Sequence, residues 1–272
     1  MAAVKDGKEL AFLYDLYIAP LWRERFDRLV DSEVTITAPA RILDAECGTG
    51  GFALELAARN PGKVEVFASD HSLERLELAR AKAVTQKLEG IIFQQTSLVD
   101  LQFDDSIFDV TIGDASMLPP DDLEAALSEL NRVTKSGGTV AVKLATRGSF
   151  DEFFSIYWEA LHELGLERFT PDLERLITER PTVSIAEEMA AGSGLRRVHS
   201  VTRKERFDYK NAAAFLSDPL IENAFLDEWL EILPDEDTRQ RVLETLTAII
   251  DRERREADWD ISIKATVVLG KK

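Results

Sequence analysis

The sequence has little of three things: cysteine, basic charge and long apolar runs. Its 272 residues contain one cysteine, Cys47, which excludes an internal disulfide and is typical of a reducing compartment. Acidic residues outnumber basic ones by 50 to 33, and the formal net charge of -17 would repel a phosphate backbone. No apolar run approaches the roughly 20 residues that span a bilayer, and the polar N-terminus lacks a signal-peptide core. We therefore expect a cytoplasmic protein that binds neither nucleic acid nor a membrane.

What the sequence does contain is a regular alternation of apolar runs and helical segments. The composition, with 45% hydrophobic and 31% charged residues, is that of a globular protein with enough chain for one sizeable core. Strands are predicted at 40–44, 64–70, 91–95, 108–113 and 139–145, and the helices between them at 51–59, 72–88 and 121–135. Strands and helices that alternate at this spacing predict a doubly wound, mostly parallel α/β sheet.

Helical segments flank this core at both ends. Residues 8–31 have helical spacing, and Pro20 is predicted to begin a second helix there, because proline is tolerated in a first turn. Beyond the fifth strand we predict a helix at 150–165, shorter helices at 172–178 and 184–191, a strand at 197–209, a nearly all-helical stretch at 211–256 and a strand at 259–269. The acidic helices of 211–256 are compatible with a lid, with a homodimer surface, or with both.

One strand-to-helix junction is rich in glycine and is flanked by carboxylates. The first strand ends at Asp44, and Gly48 and Gly50 precede the next helix. Glycines allow a ligand to approach the backbone closely, and the free N–H groups of a helix start point outward. Asp70 ends the second strand, 20 residues beyond Gly50, where a carboxylate can accept hydrogen bonds from the two hydroxyls of a ribose. The combination favours a nucleoside-containing ligand over a purely structural turn.

Three segments carry a resemblance to a known family. The stretch 42–51 (Ile-Leu-Asp-Ala-Glu-Cys-Gly-Thr-Gly-Gly) is similar to motif I of the class I S-adenosylmethionine-dependent methyltransferases of small-molecule type. Residues 101–110 resemble the segment that leads into their fourth strand, and 129–138 resemble the helix and glycine turn before their fifth. The resemblance covers 38–145 and extends weakly to the C-terminal strands.

The resemblance implies a single domain with the Rossmann-like methyltransferase fold, a seven-stranded sheet and S-adenosyl-L-methionine as the cofactor. Its parts would be an N-terminal helical lid at 1–36, the cofactor-binding core at 38–145, substrate-side helices and strand six at 146–210, a helical insertion at 211–256 and the last strand at 257–272.

The resemblance also implies a cofactor site along the ends of the strands. The methionine part of the cofactor would lie near Asp44, Glu46, Cys47, Gly48 and Gly50, and the ribose would lie at Asp70 and His71. The adenine would lie beside Ser97 and Leu98, and the sulfonium would face Gly113, Asp114 and Ala115. The lid would contain Tyr14, Tyr17 and Trp22. The substrate would meet Trp22, Arg147, Phe154 and Trp158.

The sequence departs from the family pattern at two positions. Glu46 stands at the first glycine of the family's triplet, where a carboxylate is able to pair with the amino group or sulfonium of the cofactor. It is equally able to crowd the turn or repel the ligand's own carboxylate. Ser97 stands where the family usually has an acid that bonds the adenine amino group, and a hydroxyl is a weaker acceptor than an ionised group. Both departures leave room for weak cofactor binding.

These patterns predict a methyltransferase that acts on a small, partly apolar molecule. In-line methyl transfer can draw much of its rate from alignment and desolvation, so no catalytic residue is assigned. The three histidines have no metal-ligand spacing and one cysteine cannot complete a zinc site, so no metal is predicted. The alternative is a non-catalytic protein of the same fold that binds the cofactor or a related nucleoside. A nicotinamide-dependent oxidoreductase is disfavoured, because the glycine turn lacks the third glycine of the dinucleotide fingerprint.

Overall fold

The computed structural model describes residues 6–253 and 260–272, and these divide into two compact units. Unit 1 holds the described parts of 1–144, 183–202 and 265–272, and unit 2 holds those of 145–182 and 203–264. The arrangement predicted from the sequence, a single domain with five parts, is not tested by this division and stays a prediction. Within the described ranges, no helix is both long enough and apolar enough to cross a bilayer.

Unit 1 begins with three consecutive helical segments. They are α1 (Gly7–Leu13), a π-helix (Tyr14–Arg23) and α2 (Glu24–Glu33). Pro20 lies inside the π-helix, so the prediction that it begins a second helix is wrong. In an α-helix a proline ring clashes with the carbonyl four residues earlier, whereas the i→i+5 register of a π-helix moves that carbonyl away.

Strands and helices then alternate along the chain. They are β1 (Ala40–Ala45), α3 (Gly51–Arg59), β2 (Val64–Asp70), α4 (Leu73–Thr85), β3 (Ile91–Gln95), β4 (Phe108–Asp114), α5 (Leu123–Val133), β5 (Thr134–Thr146), α6 (Asp151–Glu163), α7 (Thr170–Glu179), α8 (Val183–Gly192), β6 (Arg196–Asp208), α9 (Ala212–Leu216), α10 (Pro219–Ala224), α11 (Leu226–Leu230), α12 (Glu236–Glu253) and β7 (Asp260–Lys271). Short 3-10 turns precede α5 and α7.

The boundary between α5 and β5 differs from its prediction. The sequence predicts a helix to residue 135 and a strand from 139, but the helix ends at Val133 and the strand begins at Thr134. Thr134 is buried, and its hydroxyl is 2.8 Å from that of Thr111 and 2.6 Å from the carbonyl of Leu130, so the chain is pinned into the sheet before its glycines. A register shift between β4 and β5 accommodates the extra residues as a bulge.

The sheet has the order β3-β2-β1-β4-β5-β7-β6. The pairs β3–β2, β2–β1, β1–β4 and β4–β5 are parallel. The predicted doubly wound, mostly parallel seven-stranded sheet is therefore confirmed. The chain adds strands on one side of β1 and then returns to its other side at β4, which makes this junction the topological switch point where open α/β sheets bind ligands.

Three aspartates end the strands around that switch point. Asp44 is the fifth residue of the six-residue β1, and Asp70 and Asp114 are the last residues of β2 and β4. Because the carboxyl ends of parallel strands share one edge of the sheet, the register of β1, β2 and β4 brings these side chains to the same edge.

The cores of the two units differ in composition. In unit 1 the apolar residues of α5, including Leu127 and Leu130, pack with Val140 and Val142 of β5 in one buried cluster. In unit 2 the interior is aromatic, and the ring of Phe153 on α6 stacks on that of Trp229 with centroids 4.5 Å apart. Burial of such side chains stabilises each unit by roughly 1.5–3 kcal/mol per residue.

Candidate functional site

A cavity of about 250 Å³ in unit 1 is lined by residues at the carboxyl ends of the strands. Asp70 of β2 and Asp114 of β4 lie on its wall together with Ser97 after β3. Tyr14 and Trp22 of the π-helix also line the cavity. The cavity therefore lies at the switch point of the sheet, and its walls are supplied mainly by the N-terminal helices and the loops after four strands.

The glycine turn between β1 and α3 is tied to the end of β2. The backbone N–H of Cys47 donates to the carbonyl of Ser69 at 2.7 Å, and that of Gly48 donates to Oδ2 of Asp70 at 2.8 Å. Gly48 has φ +58°, and a Cβ at this position would lie 2.6 Å from the ring of Tyr14. Only glycine therefore fits at residue 48, and in this structure the group that approaches its backbone closely is Tyr14.

The carboxylate of Asp70 is fixed by backbone donors. Besides Gly48, the N–H of Ser72 donates to its Oδ1 at 2.9 Å, and Arg75 lies 3.8 Å away. An ionised carboxylate has about four acceptor positions, so these two hydrogen bonds leave capacity for further donors such as hydroxyl groups. Burial and the nearby charge of Glu46 raise the pKa of Asp70 above its ordinary value, despite the opposing effect of Arg75.

A buried group of charges lies beside the turn; we call Arg23, Asp27, Asp44, Asp114 and Lys143 the charge cluster. Arg23 is 2% exposed, and its guanidinium is 2.9 Å from Oδ1 of Asp44 and 3.0 Å from Oδ2 of Asp114. It also donates to the carbonyl of Glu46, and Lys143 is paired with Asp27. Burying an isolated charge at this depth would cost several kcal/mol of desolvation free energy. The cluster is stable because opposite charges within it offset this cost.

The charge cluster shifts the pKa values of its two strand-end carboxyls in opposite directions. Burial raises the pKa of Asp44 more than the neighbouring Arg23 and Lys143 lower it. At Asp114 burial acts in the same sense, but Lys143, Arg23 and hydrogen bonds from Ser116 outweigh it and hold the pKa below its ordinary value. Asp114 is therefore the firmly ionised carboxylate of the cavity wall.

Glu46 occupies a conspicuous position in the turn. It has φ +54°, a region that residues other than glycine rarely adopt. Its Oε2 is 2.6 Å from Nδ1 of His71, and its Oε1 accepts a hydrogen bond from the N–H of Leu98 at 3.3 Å. The hydrogen bond that His71 donates to the Glu46 carboxylate raises the pKa of His71, with burial opposing it. Glu46, Asp70 and His71 each place one potential metal ligand within 4.8 Å of the others, but the close Glu46–His71 contact already satisfies two of them.

The predicted cofactor residues fall into two groups in the structure. Glu46, Asp70, His71, Ser97 and Asp114 line the cavity, as does Trp22, which is predicted to contact the substrate. Asp44, Cys47, Gly48, Gly50 and Leu98 are buried behind this wall, and Tyr17 is 44% exposed outside it. Their roles toward a ligand stay predictions.

The other predicted substrate residues belong to unit 2. Arg147 donates through its Nε to the carbonyl of Arg180 at 3.2 Å and through Nη2 to that of Thr178. Phe154 is buried against Trp229, with ring centroids 5.5 Å apart, whereas Trp158 is 41% exposed. Arg147 and Phe154 thus have partners within their own unit, and the predicted substrate contacts of all three residues stay untested.

Several residues of the site were not predicted from the sequence. Arg23 and Lys143 hold the charge cluster, Ser116 orients Asp114 through a 2.5 Å hydrogen bond, and Arg75 covers the ring of Tyr14 at 4.1 Å. Two signals were available. Lys143 interrupts the apolar run of a buried strand, and Arg23 shares its helix face with Phe26, so both were candidates for buried charge.

Residues 42–138 match the family model of the methyltransferase domain. The ubiquinone/menaquinone biosynthesis C-methyltransferase UbiE of Geobacter sp. is 28% identical over 134 residues, which are 49% of this chain and 57% of that protein. The demethylmenaquinone methyltransferase of Thermus thermophilus is 36% identical over 125 residues, 45% of this chain and 56% of that protein.

The chain therefore spans somewhat more than half the length of the curated relatives it matches. A similar solved structure is that of the YcgJ protein from Bacillus subtilis, with a TM-score of 0.59 and 19% sequence identity over 92% of this chain and 98% of that one. At this identity the likeness concerns the fold alone.

Proposed function

We propose that this chain, whose residues 42–138 match the methyltransferase domain, is a class I S-adenosylmethionine-dependent methyltransferase that transfers a methyl group from S-adenosyl-L-methionine to a small molecule. The observation that carries the proposal is the cavity at the switch point. Asp70 lines this cavity, and two backbone N–H groups hold its carboxylate in place.

The chemistry of the cavity wall fits such a cofactor. Asp70 has unused acceptor positions for the two ribose hydroxyls, and Ser97 and the backbone of Leu98 supply polar groups for the edge of an adenine. Beyond them the wall continues to Asp114, while Asp44, whose Oδ2 has no hydrogen-bond partner among the described residues, is buried behind the wall. This sequence of polar groups suits a nucleoside that carries a cationic amino-acid tail.

The bound cofactor would supply an electrophilic methyl group on a sulfonium, and in the transfer the S–CH₃ bond breaks as the bond from the acceptor atom to the methyl carbon forms. The residues of this chain contribute alignment and an electrostatic setting rather than a covalent intermediate. Trp22 donates from its indole N–H to the Oγ of Ser116 at 2.8 Å, which in turn donates to Asp114. This chain of hydrogen bonds would orient the Asp114 carboxylate toward developing or resident positive charge.

Asp114 is a poor candidate for a general base. The lysine and arginine beside it hold its pKa below the ordinary value, although burial opposes them, and such a carboxylate accepts a proton weakly near neutral pH. An acceptor that loses a proton on methylation would therefore have to pass it to solvent or to a group other than Asp114.

The wall of the cavity favours an acceptor that is at least partly apolar. Met117, Leu118 and Pro119, in the loop after β4, line the cavity together with Trp22. The curated relatives are named for ubiquinone, menaquinone and demethylmenaquinone, but the family match ends at residue 138 and these relatives match only about half of this chain. The proposal is accordingly a small molecule with an apolar surface, and a quinone ring is one compound class to try.

Isothermal titration calorimetry with S-adenosylmethionine and S-adenosylhomocysteine tests the proposal. We expect saturable binding of both, at least tenfold weaker in Asp70→Asn, because an amide replaces the charged acceptor. A tenfold loss corresponds to about 1.4 kcal/mol. Asp31→Asn, on the exposed side of α2, is the matched control and should leave the affinity unchanged.

Transfer of a tritiated methyl group to a panel of quinones, phenols and amines then tests the reaction. A product in any class supports the enzyme, whereas cofactor binding without any transfer would favour the non-catalytic alternative. Absence of binding to either compound by the folded protein would refute the proposed function.

A further inference from the structure

Glu46 holds a strained backbone conformation at the centre of the proposed site. It is one of the few described non-glycine residues with positive φ, and it lies in the turn that joins β1 to α3. Side chains that persist in such conformations are held there by their surroundings, and they cluster at functional sites. The contacts that hold Glu46 in this conformation therefore indicate what its side chain does in the site.

Both ends of Glu46 are held. Its backbone carbonyl accepts a hydrogen bond from the buried guanidinium of Arg23, and this bond fixes the turn. Its carboxylate reaches away from the turn, with one oxygen 2.6 Å from the ring nitrogen of His71 and the other accepting from the N–H of Leu98. The side chain is only 14% exposed, so the carboxylate is an enclosed bridge and not a solvated surface group.

This bridge uses the groups that a nucleoside would need. The N–H of Leu98 is the backbone donor available to the edge of a base, and Glu46 already occupies it. The ligand atoms of Glu46 and Asp70 lie within 4.8 Å of one another, so a ribose bound at Asp70 would have the Glu46 carboxylate as an immediate neighbour. The cavity of about 250 Å³ is also smaller than the roughly 300–1,000 Å³ usual for ligand pockets.

We propose that Glu46 is an internal gate of the cofactor site: its carboxylate binds Leu98 and His71 in the closed form, and it has to leave them before the base and ribose can bind. The inference rests on the proposed function, because it assumes that the cavity takes a nucleoside. The gate makes the observed affinity the product of the affinity of the open form and the fraction of open protein.

The gate is sensitive to pH through His71. The charged groups that face the Glu46–His71 pair are Asp70 and Arg75 beside the imidazole and Arg23 at the Glu46 carbonyl. The hydrogen bond that His71 donates to Glu46 raises the pKa of His71, and a protonated imidazole holds the carboxylate as an ion pair. The closed form is therefore favoured below that pKa, and nucleoside affinity rises as the pH increases through it.

Calorimetry with S-adenosylhomocysteine on the full chain measures the gate without turnover. Glu46→Gly removes the carboxylate and suits the positive φ, and we expect at least tenfold tighter binding. Glu46→Gln keeps the size but loses the ion pair, and we expect an intermediate affinity with a weakened pH dependence. Lys87→Gly is the matched control, because Lys87 has φ +55° outside the cavity and its replacement relieves similar strain without touching the site. Its affinity should equal that of the wild type.

The outcomes separate the gate from the function on which it rests. Equal or weaker binding by Glu46→Gly, with binding by the wild type intact, would overturn the gate and leave the proposed function standing; weaker binding would mean that Glu46 holds the cofactor. Tighter binding in Lys87→Gly as well would assign the effect to backbone strain and also overturn the gate. If neither the wild type nor Glu46→Gly binds S-adenosylhomocysteine or S-adenosylmethionine while both remain folded, the proposed function fails and the gate fails with it.

Discussion

Unit 1 buries arginine, lysine and aspartate side chains beside its cavity, whereas unit 2 fills its interior with aromatic rings. Arg23 and Lys143 are 2% and 0% exposed in unit 1, while Phe153 and Phe215 are both 0% exposed in unit 2. Rings gain free energy from burial without needing partners, but buried charges need opposite charges beside them to offset the cost of leaving water. The comparison teaches that burial alone does not identify a functional site. The chemistry of the buried side chains, charged in unit 1 and aromatic in unit 2, distinguishes the proposed functional unit.

The largest expected effect breaks the charge cluster at its centre. Arg23→Met leaves Asp44 and Asp114 buried without their shared partner, and we expect a loss of about 3–5 kcal/mol in the free energy of unfolding. Urea denaturation followed by circular dichroism measures it. The control is Arg59→Met, which removes the exposed pair with Asp31 and should cost no more than about 1 kcal/mol. Equal losses in the two variants would contradict the special role of the cluster.

A smaller effect distinguishes the two strand-end carboxyls by pH. Asp114 has a lowered pKa in the folded protein, so its contribution to stability is present above the unfolded value of about 3.9 and is lost as the pH falls through the folded pKa. Asp114→Asn should therefore cost about 1–3 kcal/mol at pH 7. Denaturant unfolding across a pH series should show this difference from the wild type shrinking below about pH 3.9.

The stability difference between Asp44→Asn and the wild type should change with pH in the opposite sense in the same series. Burial raises the pKa of Asp44, so the folded protein favours the protonated form, and its ionisation reduces stability as the pH rises above the unfolded value. A stability difference for Asp114→Asn that grows on acidification would contradict the assignment of the two groups.

The aromatic interior of unit 2 should respond to shape and not to charge. Phe153→Leu removes part of a ring that stacks on Trp229, and we expect a loss of about 1–2 kcal/mol that is independent of pH. Thermal unfolding monitored by tryptophan fluorescence measures it. Trp158→Leu, at a side chain that is 41% exposed on the same helix, is the control and should change stability by about 0.5 kcal/mol or less.

The smallest expected effect is local to His71. Its hydrogen bond with Glu46 raises its pKa above the ordinary value, so the stability that this pair contributes is present below the unfolded pKa and is lost as the pH rises through the folded one. A nuclear magnetic resonance titration of the His71 imidazole should give a midpoint above the ordinary histidine value of about 6.5. Glu46→Gln should lower the midpoint of His71, and an unchanged midpoint would contradict the pairing.

Much of the frame of the site followed from the sequence, and its present contacts did not. Apolar periodicity predicted strands ending at or near Asp44, Asp70 and Asp114, because a strand buried on both faces reads as a continuous apolar run. The same periodicity could not pair Arg23 with Asp44 across 21 residues of chain, since an ion pair between distant segments leaves no local pattern.

The aromatic helix α6 illustrates the opposite difficulty. Phe154 and Trp158 are one helical turn apart and both were predicted to contact a substrate, yet one is buried against Trp229 and the other is 41% exposed. Spacing alone specifies a shared face but not what covers it. The direction of Glu46 was open for a similar reason, because a side chain in a left-handed turn is aimed by its tertiary partners.

A crystal structure with S-adenosylhomocysteine tests the central claim most directly. The account predicts the ribose hydroxyls on the carboxylate of Asp70, with the Glu46 side chain turned away from the Leu98 N–H. A ligand bound elsewhere in the chain, or a nucleoside seated at Asp70 while Glu46 still contacts both Leu98 and His71, would contradict it.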